Sequence, residues 1–324
     1  MKRLTLIILL LLIVVVLAVI YIVLGPPKTK LRVRIVTPPE IIASLPIWVA
    51  QDEGIFKSER LEVELVNVSD SKFMVEAMLA DNADVLPAVS LADLAATGSP
   101  GNMALMKVKI YSHSRMKKIP AFESLLVMSG SKYASIKDLE NTKVAVYPGM
   151  TAELTVRYFL KYFGVDDRHI IFVKLPPPEH YPALVRNDVQ AIHVYEPYLS
   201  VSLENGKARE LAGSIYASLA EPSAIGVSAI SRRFLRDNPE AASRYFKVWD
   251  DAIRFIQTNP EKSKKILAKH LGMPEAIALK ATWVDATSLS DTRFDTVAKT
   301  VKMFQDANVI PAEFILERDM VIIK

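Results

Sequence analysis

Short apolar segments alternate with longer amphipathic ones along most of this chain, and glycine or proline stands at many of the joints. Residues 143–147 read as a strand, 151–163 as a helix ended by Gly164, 170–175 as a strand and 191–195 as another. Nearer the start, Leu31, Val33 and Ile35 alternate with Arg32 and Arg34, and Leu61, Val63 and Leu65 alternate with Glu62 and Glu64. That period of two belongs to strands with one polar face. Residues 41–53 have helical spacing and stop at Gly54, a natural residue beyond a helix end. Phe73, Met74, Ala77 and Met78 follow a cap at Asp70-Ser71, and 84–89 form a short apolar strand. Ser90 then opens a helix, with Asp93 three residues on in capping-box position and Gly98 closing it. Residues 103–111 and 124–128 are further strands, and Pro176-Pro177-Pro178 is expected to break the chain before a helix at 181–186. Strand and helix alternating at this length predict an α/β fold with parallel sheets covered on both faces.

The last third is mainly helical. Asn238-Pro239-Glu240 and Asn259-Pro260-Glu261 share one grammar: a cap, proline in the first turn, then an acid. Tyr245, Trp249, Ala252, Ile253 and Ile256 form one helical stripe and are expected in the core.

The N-terminus carries a separate signal. Lys2 and Arg3 precede an apolar run over residues 4–24, interrupted only by Thr5 and Tyr21. A helix of that length spans about 30 Å, the thickness of a bilayer's hydrocarbon core. The run ends Leu24-Gly25-Pro26-Pro27, a poor cleavage site, so residues 1–29 read as an uncleaved membrane anchor and spacer, with a cleaved signal peptide as the alternative. Lys28, Lys30, Arg32 and Arg34 follow the run, so charge alone does not orient it.

Beyond the anchor roughly 290 residues remain, more than one core usually supports, so two lobes are expected. The net charge is +4, with both signs interspersed and no basic tract threaded with aromatics, which argues against nucleic acid. Cysteine is absent, which excludes disulfides, thiolate nucleophiles, cysteine-bound metals and a lipoprotein anchor, and suits an oxidising compartment. No phosphate-binding, zinc-protease or serine-hydrolase motif is present. The five histidines (113, 169, 180, 193 and 270) are scattered without ligand spacing, so no metal, cofactor or catalytic residue is expected.

Several segments together resemble a known family. Leu45-Pro46-Ile47-Trp48-Val49-Ala50-Gln51-Asp52-Glu53-Gly54-Ile55-Phe56-Lys57 runs into the acid-aliphatic strand Leu61-Glu62-Val63-Glu64-Leu65-Val66. Residues 133–149 follow, with Ile136-Lys137-Asp138-Leu139 and Lys143-Val144-Ala145-Val146; then come Ala183-Leu184, Asp188-Val189-Gln190-Ala191 and Glu196-Pro197; last, 234–240 lead into the two proline-started helices. In this order they resemble the ABC-importer substrate-binding proteins for nitrate, sulfonates, taurine and thiamine-pyrimidine-like solutes. There are departures: Asn141 stands where glycine is usual, Asn187-Asp188 replaces a glycine turn, and Gln190 replaces an aspartate.

The resemblance implies a two-lobed type II periplasmic-binding-protein fold behind an N-terminal transmembrane helix. Lobe I would comprise 30–114 and 224–324, and lobe II 115–223, with crossings near Ser114 and Ala224. The body would be extracytoplasmic and would close by hinge bending on a small solute, with an ABC permease and ATPase as partners. Strand ends facing the cleft supply the candidate ligand contacts: Thr37, Ser44, Leu45, Asp70, Ser71 and Ser90 from the first lobe, and Gly149, Met150, Thr151 and Glu196 from the second. Ser90 and Thr151 begin helices, where free N–H groups accept anions or are simply capped. Glu196 would accept from an amine or a ring nitrogen; otherwise it is a solvated loop acid. Trp48 could stack on a ring but suits the core equally. No arginine lies within 37–48, 69–71, 88–92, 147–153 or 195–198, which predicts a neutral, zwitterionic or cationic solute over a simple oxyanion. Two other readings remain: an enzyme on the same fold, either a thiamine-pyrimidine synthase or a small-molecule lyase, and a tethered solute sensor.

Overall fold

The computed structural model describes residues 31–97, 104–149, 151–204, 206–282 and 286–322. The apolar run at 4–24 and its spacer lie outside these residues; among the described residues no helix is long and apolar enough to cross a membrane. Among the described residues ten strands follow in chain order: β1 (Leu31–Thr37), β2 (Leu61–Asn67), β3 (Val85–Ser90), β4 (Val108–His113), β5 (Glu123–Met128), β6 (Lys143–Val146), β7 (Ile171–Lys174), β8 (Ala191–Tyr195), β9 (Ala208–Gly213) and β10 (Gly226–Ser231). They build two five-stranded sheets, sheet I in the order β2-β1-β3-β10-β4 and sheet II in the order β7-β6-β8-β5-β9.

The sheets are mixed, which corrects the expectation of parallel ones. β1 pairs with β3 in parallel, as β6 does with β7 and β8. β10 runs antiparallel to β3 and β4, and β5 antiparallel to β8 and β9. β5 and β10 are each the first strand after the chain has changed sheets. No helical crossover within one sheet dictates their direction, so the parallel rule does not reach them.

Sheet II shows how the apolar pattern is used. Leu125, Val127, Val144, Val146 and Ala191 face Val156, Phe159 and Leu160 of the helix Thr151–Tyr162. Their neighbours Leu126, Ala145, Ile192 and Val194 face the opposite way, onto Ala183 and Leu184 of the helix Pro177–Val185. Side chains alternate across a strand, so a continuous apolar run such as Val144-Ala145-Val146 marks burial on both faces. Asn141 and Asn187 both sit at φ +61°, a left-handed conformation that asparagine tolerates, so they can replace glycine at these turns.

Two local expectations are corrected. The triple proline does not break the chain before the helix: Pro177 opens it, because the first turn has no intrahelical use for the missing N–H groups. The fourth strand starts at Val108, and Ala104–Lys107 form a 3-10 turn before it; Met103 lies outside the described residues. The helices Pro239–Thr258 and Pro260–Leu271 start as the sequence suggests. Tyr245 and Trp249 are buried, and Trp249 Nε1 donates to the Thr287 carbonyl at 3.1 Å. Trp48 is core as well, its ring stacked on His270 at 5.0 Å between centroids.

The chain leaves sheet I after His113 and enters sheet II at Glu123; it returns between Gly213 and Gly226. The two passages run side by side, with an antiparallel bridge between Met116 and Ser223, and Ser114 N donating to the Gly226 carbonyl at 2.8 Å. Sheet I is also irregular beside them. Val227 pairs with Val89 and Ala229 with Leu86, so Pro87 and Ala88 together oppose Ser228. Proline cannot donate to a ladder, and the bulge accommodates it, with Ser228 Oγ donating to the Pro87 carbonyl at 2.6 Å.

Candidate functional site

A cavity of about 400 Å³ opens between the two sheets, within the range typical of small-molecule sites. The bulge aims Pro87, Ala88 and Ser228 into it from sheet I. Leu45 and Pro46 enter from the first helix, Leu45–Asp52, and Ile253 and Ile256 from the long helix Pro239–Thr258. Sheet II and its connections add Phe122, Tyr147, Tyr195 and Tyr216. The crossing passages contribute Ser114 and Met116.

The aromatic residues form one wall. Tyr195 lies 6.0 Å from Phe122, 6.2 Å from Tyr147 edge-on and 6.1 Å from Tyr216 in near-parallel stacking. Their polar ends are occupied: the Tyr195 and Tyr216 hydroxyls lie 2.6 Å apart, and Tyr147 Oη donates to the Ser69 carbonyl at 2.7 Å. Burial raises the pKa of all three phenols, so each stays neutral.

Elsewhere in the lining, hydroxyls from both sheets meet. Ser90 Oγ lies 2.5 Å from Thr151 Oγ1, and Thr151 Oγ1 donates to Asp93 Oδ2 at 3.1 Å. Asp93 is only 2% exposed and lines the cavity. Burial raises its pKa, opposed by the Thr151 and Ser90 hydroxyls; Asp70 raises it further and Lys174 lowers it. No ion pair to Asp93 occurs among the described residues, and Lys174 sits 3.8 Å from Glu153. Gly149 brings the chain close to this carboxylate. A Cβ there would stand 3.7 Å from Asp93 Oδ2 and 3.9 Å from Asp70 Oδ1, and φ +112° strains any other residue.

The described cavity lining contains no lysine or arginine. His113 does line it, but both ring nitrogens are engaged: Nδ1 pairs with the Ser114 carbonyl at 2.9 Å, and Nε2 accepts from Arg293 N at 3.0 Å. That arrangement requires the neutral ring, and burial with Arg115 and Arg293 nearby lowers its pKa. Arg115 lies between Ser114 and Met116 in the sequence, which both line the cavity, and is not itself in the lining.

The sequence candidates divide accordingly. Leu45, Ser71, Ser90 and Thr151 line the cavity. Thr37 and Ser44 are fully buried beside it and bond to each other at 2.9 Å, Ser44 Oγ also donating to the Pro38 carbonyl at 2.5 Å. Asp70 caps its helix, accepting from Lys72 N at 2.8 Å. Gly149 is not in the lining but passes close to Asp93 and Asp70, and Met150 lies outside the described residues. Glu196 is buried away from the lining; Ser200 donates to it from N at 3.1 Å and Oγ at 2.9 Å, and Thr282 from N at 3.3 Å. Its neighbour Tyr195 faces the cavity, as strand alternation requires. Asp93, the aromatic wall and the Ile253–Ile256 pair were not among the candidates. Asp93 looked like the second member of a capping box; in the fold only the Ser90 half forms, Oγ accepting from Asp93 N at 3.2 Å.

The chain is similar to curated and solved proteins. It is 22% identical over 212 residues to a putative aliphatic sulfonates-binding protein of Bacillus subtilis, covering 64% of this chain and 61% of that protein's length. It shares the fold of the alkanesulfonate-binding protein of Xanthomonas axonopodis pv. citri, with TM-score 0.71 and 19% identity over 90% of this chain and 97% of that one. The periplasmic aliphatic sulphonate binding protein of Escherichia coli has the same two-sheet α/β fold, with TM-score 0.68 and 18% identity over 86% and 88% of the two chains. Residues 25–272, well over half of the chain, match the NMT1-like family, and the protein belongs to that family.

Proposed function

We propose that this protein is the extracytoplasmic substrate-binding component of an ABC importer. It takes a small organic solute between two lobes, 30–114 with 224–324 and 115–223, which close by bending at the paired passages. The observation that carries this reading is the cavity itself: about 400 Å³, walled from both sheets and bridged across by Ser90 and Thr151. Cavities between packed α/β units are preferred small-molecule sites, and hinge closure around a ligand is a common repertoire for such pairs. The related proteins are named as binding proteins, several of them for sulfonates, which favours solute binding over the enzyme readings. The apolar run at 4–24 supports a membrane tether, and the periplasmic location named for a protein of the same fold supports a body outside the membrane.

The test is a thermal-shift screen of the detergent-solubilised full chain with amines, amino acids, sulfonates and inorganic oxyanions. Ligand at about 100 times its dissociation constant adds roughly 2.7 kcal/mol, a shift of several degrees. A solute that binds should also compact the protein in small-angle scattering, and deleting the gene should abolish its uptake. Binding with unchanged uptake in the deletion strain would favour the sensor reading; turnover of the bound molecule would favour an enzyme.

A further inference from the structure

Most of the cavity wall is aliphatic or aromatic, and its charge is one-sided. Asp93 is an acid in the described lining; no lysine or arginine joins it there, and His113 is held neutral by its two partners. A buried carboxylate without a cation is costly unless something pairs with it. Its hydroxyl neighbours, Thr151 and Ser90, satisfy part of its hydrogen-bonding capacity but bring no charge. These hydroxyls and Asp93 cluster where the helices Leu91–Ala96 and Thr151–Tyr162 begin, the place where an oxyanion would otherwise be received. The carboxylate repels such a ligand. The same lining includes the rings of Phe122, Tyr147, Tyr195 and Tyr216, residues that suit a flat apolar body and also attract a cation.

We propose that Asp93 is the anchor for a protonated amine, and that the solute is an organic amine whose apolar body lies against the Phe122–Tyr147–Tyr195–Tyr216 wall. This rests on the solute-binding reading above and sets the substrate class apart from the sulfonates for which several relatives are named. Ser90 and Thr151 then hold the carboxylate from the two sheets, so that binding the ammonium and closing the cleft are coupled. Gly149 keeps the space beside Asp93 open.

The experiment compares three probes that share one body and differ in one group: 2-phenylethylamine, 2-phenylethanol and 2-phenylethanesulfonate. Each is titrated calorimetrically into the full chain in detergent, wild type and Asp93→Asn, at neutral pH. The expected result is amine binding about 10- to 100-fold tighter than the alcohol, the range of a charge-assisted hydrogen bond, with the sulfonate weakest. In Asp93→Asn the amine should fall to the level of the alcohol. Because the variant could act through misfolding, its cooperative melting and its radius of gyration in small-angle scattering are checked against wild type. Sulfonate binding as tight as amine binding overturns the assignment and leaves the solute-binding reading standing. Amine binding that survives Asp93→Asn overturns it too. Failure of all three probes also overturns it, and the uptake assay then decides the broader reading separately.

Discussion

Met116 and Ser223 exchange backbone hydrogen bonds, each N–H donating to the other's carbonyl at 3.1 Å, so the two passages between the sheets are joined as a short ribbon. Ser223 is fully buried. Met116→Pro deletes one donor and leaves the buried Ser223 carbonyl only the long contact from Ser114 Oγ, at 3.5 Å. The expected cost is about 1–3 kcal/mol, read as an earlier urea midpoint. An unchanged midpoint would mean that the ribbon contributes nothing to holding the passages together.

The Asp93 pKa is raised chiefly by burial, and this has a signed consequence for the ligand-free protein. A carboxyl whose folded pKa exceeds its unfolded one stabilises the fold while protonated, and that contribution is lost as pH rises through the folded value. Among the described residues, Asp70, Lys174 and Tyr216 are titratable groups that interact with it. Asp93→Asn removes this dependence. At neutral pH the ligand-free variant should therefore melt above wild type, and the gap should close as the buffer is taken below the carboxylate range. A variant that melts lower at neutral pH would show that Asp93 stabilises the empty fold.

Tyr147 Oη reaches from sheet II to the Ser69 carbonyl beside sheet I, at 2.7 Å. Tyr147→Phe keeps the ring in the wall and removes this bond across the cavity. A net contribution of about 0.5–1.5 kcal/mol corresponds to a loss of up to about tenfold in ligand affinity. Small-angle scattering of the ligand-free variant should show a larger radius of gyration. Equal radii and equal affinities would separate the bond from closure.

Ile253 and Ile256 stand one helical turn apart and both line the cavity. Ile256→Trp should fill part of the 400 Å³ and weaken every ligand by more than tenfold, while Ile256→Val should cost little. The measurement is calorimetric titration with whatever solute the thermal screen identifies. Undiminished binding in the tryptophan variant would remove this helix from the site.

Much of the fold was legible because it is written in local patterns. Period-two alternation marked β1 and β2, continuous apolar runs marked β3, β6 and β8, and the Asn-Pro-Glu repeats marked two helix starts. β9 and β10 were not read as strands at all, and the direction of β5 was not legible, since it depends on where the chain has come from. The site was read less well for a related reason. Asp93 acquires its role only when Thr151 arrives from the other sheet, 58 residues away in the chain. Glu196 and Tyr195 are neighbours, and which of them faces the cavity turns on the phase of one strand. Ile253 and Ile256 carry the same helical spacing as the core residues Tyr245 and Trp249, and spacing does not distinguish packing against a sheet from packing against a ligand.

The order of strands in sheet I bears on how the protein is made. β10 lies between β3 and β4, yet it is synthesised after all of sheet II. While the ribosome is still working through residues 123–213, the facing edges of β3 and β4 have no strand to fill the gap between them. Sheet II, drawn from one continuous stretch, has every strand it needs before β10 emerges. Open strand edges invite pairing with other chains, so the nascent protein passes through a period of exposure that ends only when residues 226–231 insert. Lesions in β10 should therefore reduce the yield of folded protein more than they lower the stability of the molecules that do fold.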